Sequence, residues 1–356
     1  MGKVLRYIVF ATAVAGLTAG CTSFGPEVVE RDNFDYADAM REAWKEQMLF
    51  NMVGLRYAEP PQFLRVTSVI NQYSLDGRLT AATPPYSGSG PAAPPLSATA
   101  GYADRPTITY APMTGADFTR SVMTPIPPST IMSMIQAGWP AESVLRLGVR
   151  AINGVYAADL LGRPSSRAEY YEMVLLIQKL QTSGNLAFRV RKTASGDVTL
   201  LIVRRPATKD LEFTVARLGE ILGLDPNVNQ YRLVFGHQSR GGDEIAILSK
   251  SILEMLLDLS MWIDVPPEHV ESGRTTPSPE TTLEEDLGFD RMITVHSSSE
   301  KPDESYAAVE YHNLWFWIDE TDYASKKTLA FMQLLFSLAE SGTSPEVPTV
   351  TVDAGR

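Results

Sequence analysis

The chain contains a single cysteine, Cys21, and this limits the architectures open to the residues that follow it. One thiol cannot close an internal disulfide, so the fold has to be held together by a hydrophobic core. The chain has 356 residues, of which 44% are hydrophobic and 21% are charged, which is the composition of a globular protein. We therefore expect one large or two medium domains without a disulfide framework.

The residues before Cys21 have the order of an export signal. Lys3 and Arg6 precede an uncharged run from Tyr7 to Gly20, and small residues lie next to the cysteine. The run is shorter than the roughly 20 apolar residues that a membrane-spanning helix needs. We interpret residues 1–20 as a signal peptide that is removed from the mature chain.

The end of this signal indicates lipidation of Cys21. The sequence Leu17-Thr18-Ala19-Gly20-Cys21 resembles the lipobox, although Thr18 stands where a branched aliphatic residue is usual. An ordinary secretory signal beside an incidental cysteine is the alternative interpretation. Several acyl chains on one residue hold a protein stably on a membrane, at about 0.8 kcal/mol per buried methylene. The predicted lipidation site is therefore Cys21.

The residue after the cysteine bears on localisation. Thr22 occupies the position where inner-membrane retention signals usually have Asp, so the resemblance to the sorting rule implies the outer membrane. We expect a lipid-anchored cell-envelope protein that faces the periplasm, with residues 21–32 as a lipidated tether. The sequence itself leaves the side of the membrane open.

Charge argues against two classes of partner. The chain has 31 Lys and Arg against 42 Asp and Glu, a net charge of -11. Such an acidic protein is a poor ligand for nucleic acid or for anionic lipid surfaces. We expect no nucleic-acid partner, and we predict contact with the membrane through the N-terminal lipid together with an envelope protein partner.

Periodicity predicts an α+β fold, in which mixed, mainly antiparallel sheets pack with several amphipathic helices. The clearest unit is a helix that ends at Gly184, followed by a hairpin over residues 186–204. We also predict a strand over 144–152, and C-terminal strands at 292–296, 307–312 and 314–318. The predicted organisation is a main domain at 33–273 with a flexible loop at 81–101, an acidic linker at 274–288, C-terminal strands and a helix at 289–345 packed on the main domain, and a tail at 346–356.

Searches for catalytic chemistry give weak candidates. The four histidines match no metal-ligand spacing, so we predict no metal and no cofactor. Glu310 and His312 would share a strand face, with His296 on a strand that could be adjacent. The segment from Gly236 to Gly241 contains His237 and Ser239 but has one residue too many for a nucleophile elbow.

The densest aromatic cluster is the best candidate for binding. It contains Tyr311, Trp315, Phe316 and Trp317, and strand alternation sends Trp315 and Trp317 to one face and Phe316 to the other. One face is expected to be core. Tyr311, Trp315 and Trp317 are the candidate binding residues, because an exposed aromatic face suits a glycan or a protein partner.

Several motifs resemble a family of Gram-negative lipoproteins of unknown function. They span most of the mature chain and comprise Phe34-Asp35-Tyr36 through Gln47, Leu55-Arg56-Tyr57, Pro60-Pro61-Gln62-Phe63-Leu64, Arg105-Pro106-Thr107-Ile108-Thr109-Tyr110 through Thr124-Pro125-Ile126-Pro127, Trp315-Phe316-Trp317-Ile318-Asp319 and Ser325-Lys326. The resemblance implies a membrane anchor and no particular activity.

Three functions therefore stay open. The first is a non-enzymatic binding or scaffold subunit of a cell-envelope assembly. The second is a periplasmic hydrolase acting on cell-wall or lipid material through Ser239 and His237 or through a carboxylate pair. The third is a carbohydrate-binding lipoprotein that uses Trp315 or Trp317.

Overall fold

The computed structural model describes residues 24–70, 73–81, 96–104, 107–157, 167–193, 196–204, 206–278 and 287–340. Within these residues the chain has an α+β fold with nine α-helices and mixed, mostly antiparallel sheets, as the periodicity predicts. The predicted signal peptide, Cys21 and the predicted tail lie outside the described residues. None of the helices in the described ranges is long and apolar enough to cross a membrane.

The first element is a long helix, α1 (Phe24–Arg56). Its C-terminal half carries the buried side chains, among them Met48, Leu49, Met52 and Val53. The helix begins at Phe24, so residues 24–32 of the predicted tether are helical. Pro26 is compatible with this start, because the N–H groups in the first turn of a helix have no acceptor within the helix.

The end of α1 is closed by a Schellman motif. The N–H of Glu59 donates to the carbonyl of Gly54 at 2.9 Å, and the N–H of Ala58 donates to the carbonyl of Leu55 at 3.1 Å. Ala58 has a φ of 62°, where glycine is the usual residue. The chain therefore carries a local strain at this turn.

Two antiparallel ribbons follow. Strand β1 (Leu64–Ile70) pairs with β4 (Thr107–Pro112), and β2 (Tyr73–Ala81) pairs with β3 (Leu96–Asp104). Residues 96–101 of the predicted flexible loop are thus part of a strand, and residues 82–95 lie outside the described residues. Pairing to a distant strand, which local composition does not reveal, overrides the low β-propensity of a segment rich in small residues.

Short helices lead into the main sheet. They are α2 (Gly115–Phe118), a π-helical turn at Thr119–Met123, α3 (Pro128–Gln136) and α4 (Ala141–Gly148). We predicted a strand over 144–152, which is wrong for residues 144–148. The first N–H groups of α4 are capped by two glutamine side chains from a later helix, since Gln181 Oε1 accepts from Ala141 at 2.8 Å and Gln178 Oε1 accepts from Glu142 at 2.9 Å.

The main sheet has six strands. They are β5 (Val149–Ile152), β6 (Val155–Tyr156), β7 (Leu186–Thr193), β8 (Gly196–Val203), β9 (Gln230–Phe235) and β10 (Glu244–Ser249), in the order β6-β5-β10-β9-β8-β7. All neighbours are antiparallel except β9 and β10. The connection between β9 and β10 passes close to a turn, and a Cβ on Gly242 would lie 2.8 Å from the backbone nitrogen of Asp225.

Helices cover this sheet and form much of the core. Helix α3 packs against β7, β9 and β10, while α5 (Arg167–Thr182) packs against α6 (Lys209–Leu222). Tyr170 on α5 is fully buried, and its hydroxyl donates to the carbonyl of Leu145 at 2.8 Å. Helix α5 and the hairpin β7–β8 lie where the sequence predicts them.

The C-terminal part packs on α1. After α7 (Ile252–Ser260) and α8 (Pro267–Glu271), a three-stranded sheet forms from β11 (His296–Ser298), β12 (Ala307–Tyr311) and β13 (Leu314–Ile318), in the order β11-β13-β12. Helix α9 (Tyr323–Glu340) completes the described chain. One face of the small sheet packs on α1, which also contacts α7.

The start of the predicted acidic linker is bound to the end of α1. The Arg56 guanidinium donates to the Thr276 carbonyl at 2.7 Å and to the Ser278 hydroxyl at 3.1 Å, and the Thr275 hydroxyl donates to the Arg56 carbonyl at 2.6 Å. Residues 274–278 are therefore part of the folded body. Burial lowers the pKa of Arg56. The hydrogen bonds satisfy its terminal guanidinium nitrogens, whereas Nε is buried without a partner among the described residues.

Candidate functional site

The two candidate tryptophans lie side by side on the outer face of the small sheet. Trp315 and Trp317 are half-buried, whereas Phe316 between them is fully buried on the opposite face toward α1. This is the alternation that the sequence predicts. We call the surface formed by Trp315, Trp317, His296, Ser298, Ala308 and Glu310 the tryptophan face, because register places these residues directly opposite one another on β11, β13 and β12.

Tyr311 does not belong to the tryptophan face. It pairs with Leu314 across the two-residue turn from β12 to β13, so it points to the same side as Phe316. Only 7% of its surface is exposed. Grouping Tyr311 with the two tryptophans as one binding surface is therefore wrong, because β-pleating separates residues that are close in sequence.

His312 also departs from the prediction. It lies in the turn, with a φ of 50°, and Asn313 follows with a φ of 63°. Two consecutive positive φ angles define a type I′ turn, which matches the twist of an antiparallel hairpin. His312 and Glu310 therefore do not share a strand face, and His296 pairs with β13 rather than with β12.

Tyr311 joins a cluster of aromatic residues at the end of α1. The Tyr57 and Tyr311 rings lie 5.4 Å apart, and the Tyr57 hydroxyl is 2.7 Å from His269 Nδ1. The Tyr311 hydroxyl is buried and finds no regular hydrogen bond within the described residues. Burial, and then the neighbouring Glu59 carboxylate, raise the pKa of Tyr311. We interpret the cluster as a structural contact that packs the end of α1 against the small sheet.

The tryptophan face is surrounded by charges of both signs. The His296 and Trp317 rings lie 4.7 Å apart, and the Lys301 ammonium is 5.1 Å from the centre of the Trp315 ring. Asp264 Oδ2 is 3.7 Å from His296 Nδ1. Hydrogen bonds from Thr321 lower the pKa of Asp319, so this carboxylate stays ionised. No single sign of charge dominates the surface.

The structure also contains an apolar groove that the sequence did not reveal. Its walls come from three parts of the chain that are distant in sequence, namely α1, the β1–β4 ribbon and α9. The groove has a volume of about 450 Å³ and is lined mainly by apolar side chains, including Met40, Trp44, Phe63, Val69, Ile108, Tyr110 and Phe336. A volume of this size lies in the range of ligand pockets, roughly 300–1,000 Å³.

Several large apolar side chains of the groove are open to solvent. Met40 is 45% exposed, Ile108 40% and Tyr110 52%. Single exposed apolar residues are ordinary, but a contiguous group marks an interaction surface. Arg41 and Arg65 also line the groove and form surface ion pairs with Asp38 and Asp117. The groove thus has an apolar floor and charged residues along its walls.

A second cleft lies between α6 and the ends of β8 and β9, with a volume of about 860 Å³. Glu212 and Glu220 lie on its wall, and Val215, Leu224 and Tyr231 contribute apolar surface. The pKa of Tyr231 is raised by burial. The two carboxylates both lie on α6, and Glu220 pairs with Arg217 outside the cleft. We therefore assign no chemistry to this cleft.

The other sequence candidates stay apart. Ser239 is half-buried and His237 is exposed in the loop between β9 and β10, and no hydrogen bond joins them within the described residues. Across all the residues that the structure describes, no group of three His, Cys, Asp or Glu side chains is placed to hold a metal ion. Comparison of the chain with protein families, curated proteins and solved structures finds no match.

Proposed function

We propose that this chain is a lipid-anchored envelope protein that acts as a non-enzymatic binding subunit, and that the apolar groove receives an extended segment of a partner protein. The observation that carries the proposal is the groove itself, with its exposed Met40, Ile108 and Tyr110. Covering such side chains removes apolar surface from water, which is worth about 25 cal/mol per Å² before the costs of association.

The ribbon that forms part of the groove favours a protein partner over a lipid. Strands β1 and β4 pair only with each other among the described strands, so each has an edge with unpaired N–H and C=O groups. An extended peptide can pair with such an edge while its alternate side chains enter the groove. An acyl chain cannot hydrogen-bond to the backbone, and burying the edge under it would be costly.

The predicted anchor supports the same function. Lipid on Cys21 would hold the protein at the membrane, and α1, which begins at Phe24, carries Met40 and Trp44 into the groove. A helix rises about 1.5 Å per residue, so these side chains lie about 25–30 Å along the axis from Phe24. The groove would therefore stand away from the lipid surface, where an envelope protein can reach it.

Site-specific photocrosslinking in intact cells tests the proposal. A benzophenone amino acid replaces Ile108 in the groove or, as a control, Phe213, which is 69% exposed on α6. We expect a discrete crosslinked protein from position 108 and none from position 213. A Val69→Asp variant that keeps its folded circular dichroism spectrum should weaken the crosslink, because it places a charge in the groove. Crosslinks to lipid alone, or equal products from both positions, would contradict the proposal.

A further inference from the structure

The tryptophan face is a second surface, separate from the groove. Its side chains form two rows across the sheet, His296, Trp317 and Ala308 in one and Ser298, Trp315 and Glu310 in the other. Because alternate residues of a strand lie about 6.6 Å apart on the same face, the two indoles are neighbours. Neither tryptophan lines the groove or the second cleft, and both side chains are partly exposed.

The two indole rings are held in place on the sheet. His296 packs on Trp317 and Lys301 lies over Trp315, while the strand backbone fixes both side chains from below. The Trp317 Nε1 atom is buried and has no hydrogen-bond partner within the described residues. An unpaired buried N–H costs about 1–3 kcal/mol. Because this N–H is shielded from solvent, a ligand on the face can contact only the exposed part of the Trp317 ring.

The polar groups around the indoles suit an uncharged ligand. Glu310 is exposed opposite Trp315, His296 packs on Trp317 with Asp264 beside the imidazole, and Lys301 borders the Trp315 ring. Carboxylates would repel nucleic acid and anionic lipid headgroups. They accept hydrogen bonds strongly from hydroxyl groups, and Lys301 can donate to ring or hydroxyl oxygens. A neutral ligand with many hydroxyl groups satisfies both kinds of residue.

We propose that the tryptophan face binds a carbohydrate chain, with the C–H faces of neighbouring sugar rings stacked on Trp315 and Trp317. Hydroxyl groups of the same sugars donate to Glu310 and Asp264. Two neighbouring, partly exposed rings on a sheet face suit a polymer, which can extend beyond both tryptophans, better than a small molecule, which needs enclosure. This inference does not depend on the groove or on its protein partner.

Binding to purified glycans tests the proposal with the whole lipoprotein in mild-detergent micelles. Protein-free peptidoglycan sacculi are used in a sedimentation assay, and chitotetraose in a tryptophan fluorescence titration. We expect saturable binding to at least one of these probes. Trp315→Ala should weaken it by about tenfold or more, and Trp315→Phe by less, since part of the stacking surface remains.

Three controls separate this result from misfolding and from the groove. Phe213→Ala on α6 should leave glycan binding unchanged, and so should Val69→Asp in the groove. Glu310→Gln keeps the side chain's shape and should weaken binding severalfold by removing a charged acceptor. Circular dichroism checks each variant, and Trp315→Phe keeps the test valid if Trp315→Ala fails to fold. Failure of both probes to bind, or binding that survives a folded Trp315→Ala variant, would overturn the proposal.

Discussion

The contrast between Phe316 and Trp315 gives a quantitative prediction for the small sheet. Phe316 is fully buried between β13 and α1, with its ring 6.2 Å from that of Tyr57 and 6.4 Å from that of Tyr311. Truncating such a core residue to alanine costs about 3–5 kcal/mol, because it loses the transfer free energy of the ring and leaves a cavity. Trp315 is half-buried, so Trp315→Ala should cost no more than about 1–2 kcal/mol.

Urea unfolding measured by far-UV circular dichroism checks this prediction, because the signal does not depend on the substituted tryptophan. The midpoint should fall for Phe316→Ala far more than for Trp315→Ala, while the slope with urea stays close to that of the parent protein. Equal losses for the two variants would refute the assignment of opposite faces. In that case Trp315 would be a core residue and could not serve as a binding platform.

Three further predictions concern two backbone positions and one buried tyrosine. Ala58→Gly should raise the free energy of unfolding by roughly 0.5–1 kcal/mol, because glycine relieves the left-handed strain at the end of α1 at some cost in unfolded-state entropy. Thermal unfolding checks this prediction, and a lower melting temperature in the glycine variant would contradict it. Gly242→Ala should destabilise the protein by about 1–3 kcal/mol, since the new Cβ would press on the Asp225 backbone. Gly219→Ala on α6 should be neutral or stabilising, because a Cβ there would meet no neighbouring heavy atom within 4 Å. Similar changes in the free energy of unfolding for the two variants in urea would count against this packing. Burial raises the pKa of Tyr170, so the stability due to its neutral phenol is complete below the unfolded-state pKa of about 10 and is lost as pH rises above it. Urea unfolding at increasing pH should show this loss. If the free energy of unfolding falls as steeply with pH in Tyr170→Phe as in the parent protein, the prediction is contradicted.

Elements that local sequence specifies were predicted well. Strand β13 at Leu314–Ile318 alternates half-buried and buried residues, and helix α5 carries its own apolar stripe and a glycine after its end. The signals that form these elements lie within them. The orientation of Trp315 and Trp317 followed from alternation for the same reason.

Features that depend on distant residues were not predicted. Helix α4 starts where Gln178 and Gln181 cap it from α5, and nothing in its own eight residues indicates this. The groove is assembled from α1, the β1–β4 ribbon and α9, so no single segment carries its signal. Tyr311 was misplaced because a two-residue turn reverses the chain, and only the pairing with Leu314 reveals its side.

The anchor on Cys21 can be measured directly, and the proposed function begins with it. Mass spectrometry of the mature N-terminal peptide from native membranes should find Cys21 as the first residue, with a diacylglyceryl thioether and an amide-linked acyl chain. Cys21→Ser should remove both the modification and, once unprocessed precursor is excluded, the membrane association. An unmodified thiol at the mature N-terminus, or a processed serine variant that stays on membranes, would contradict the account.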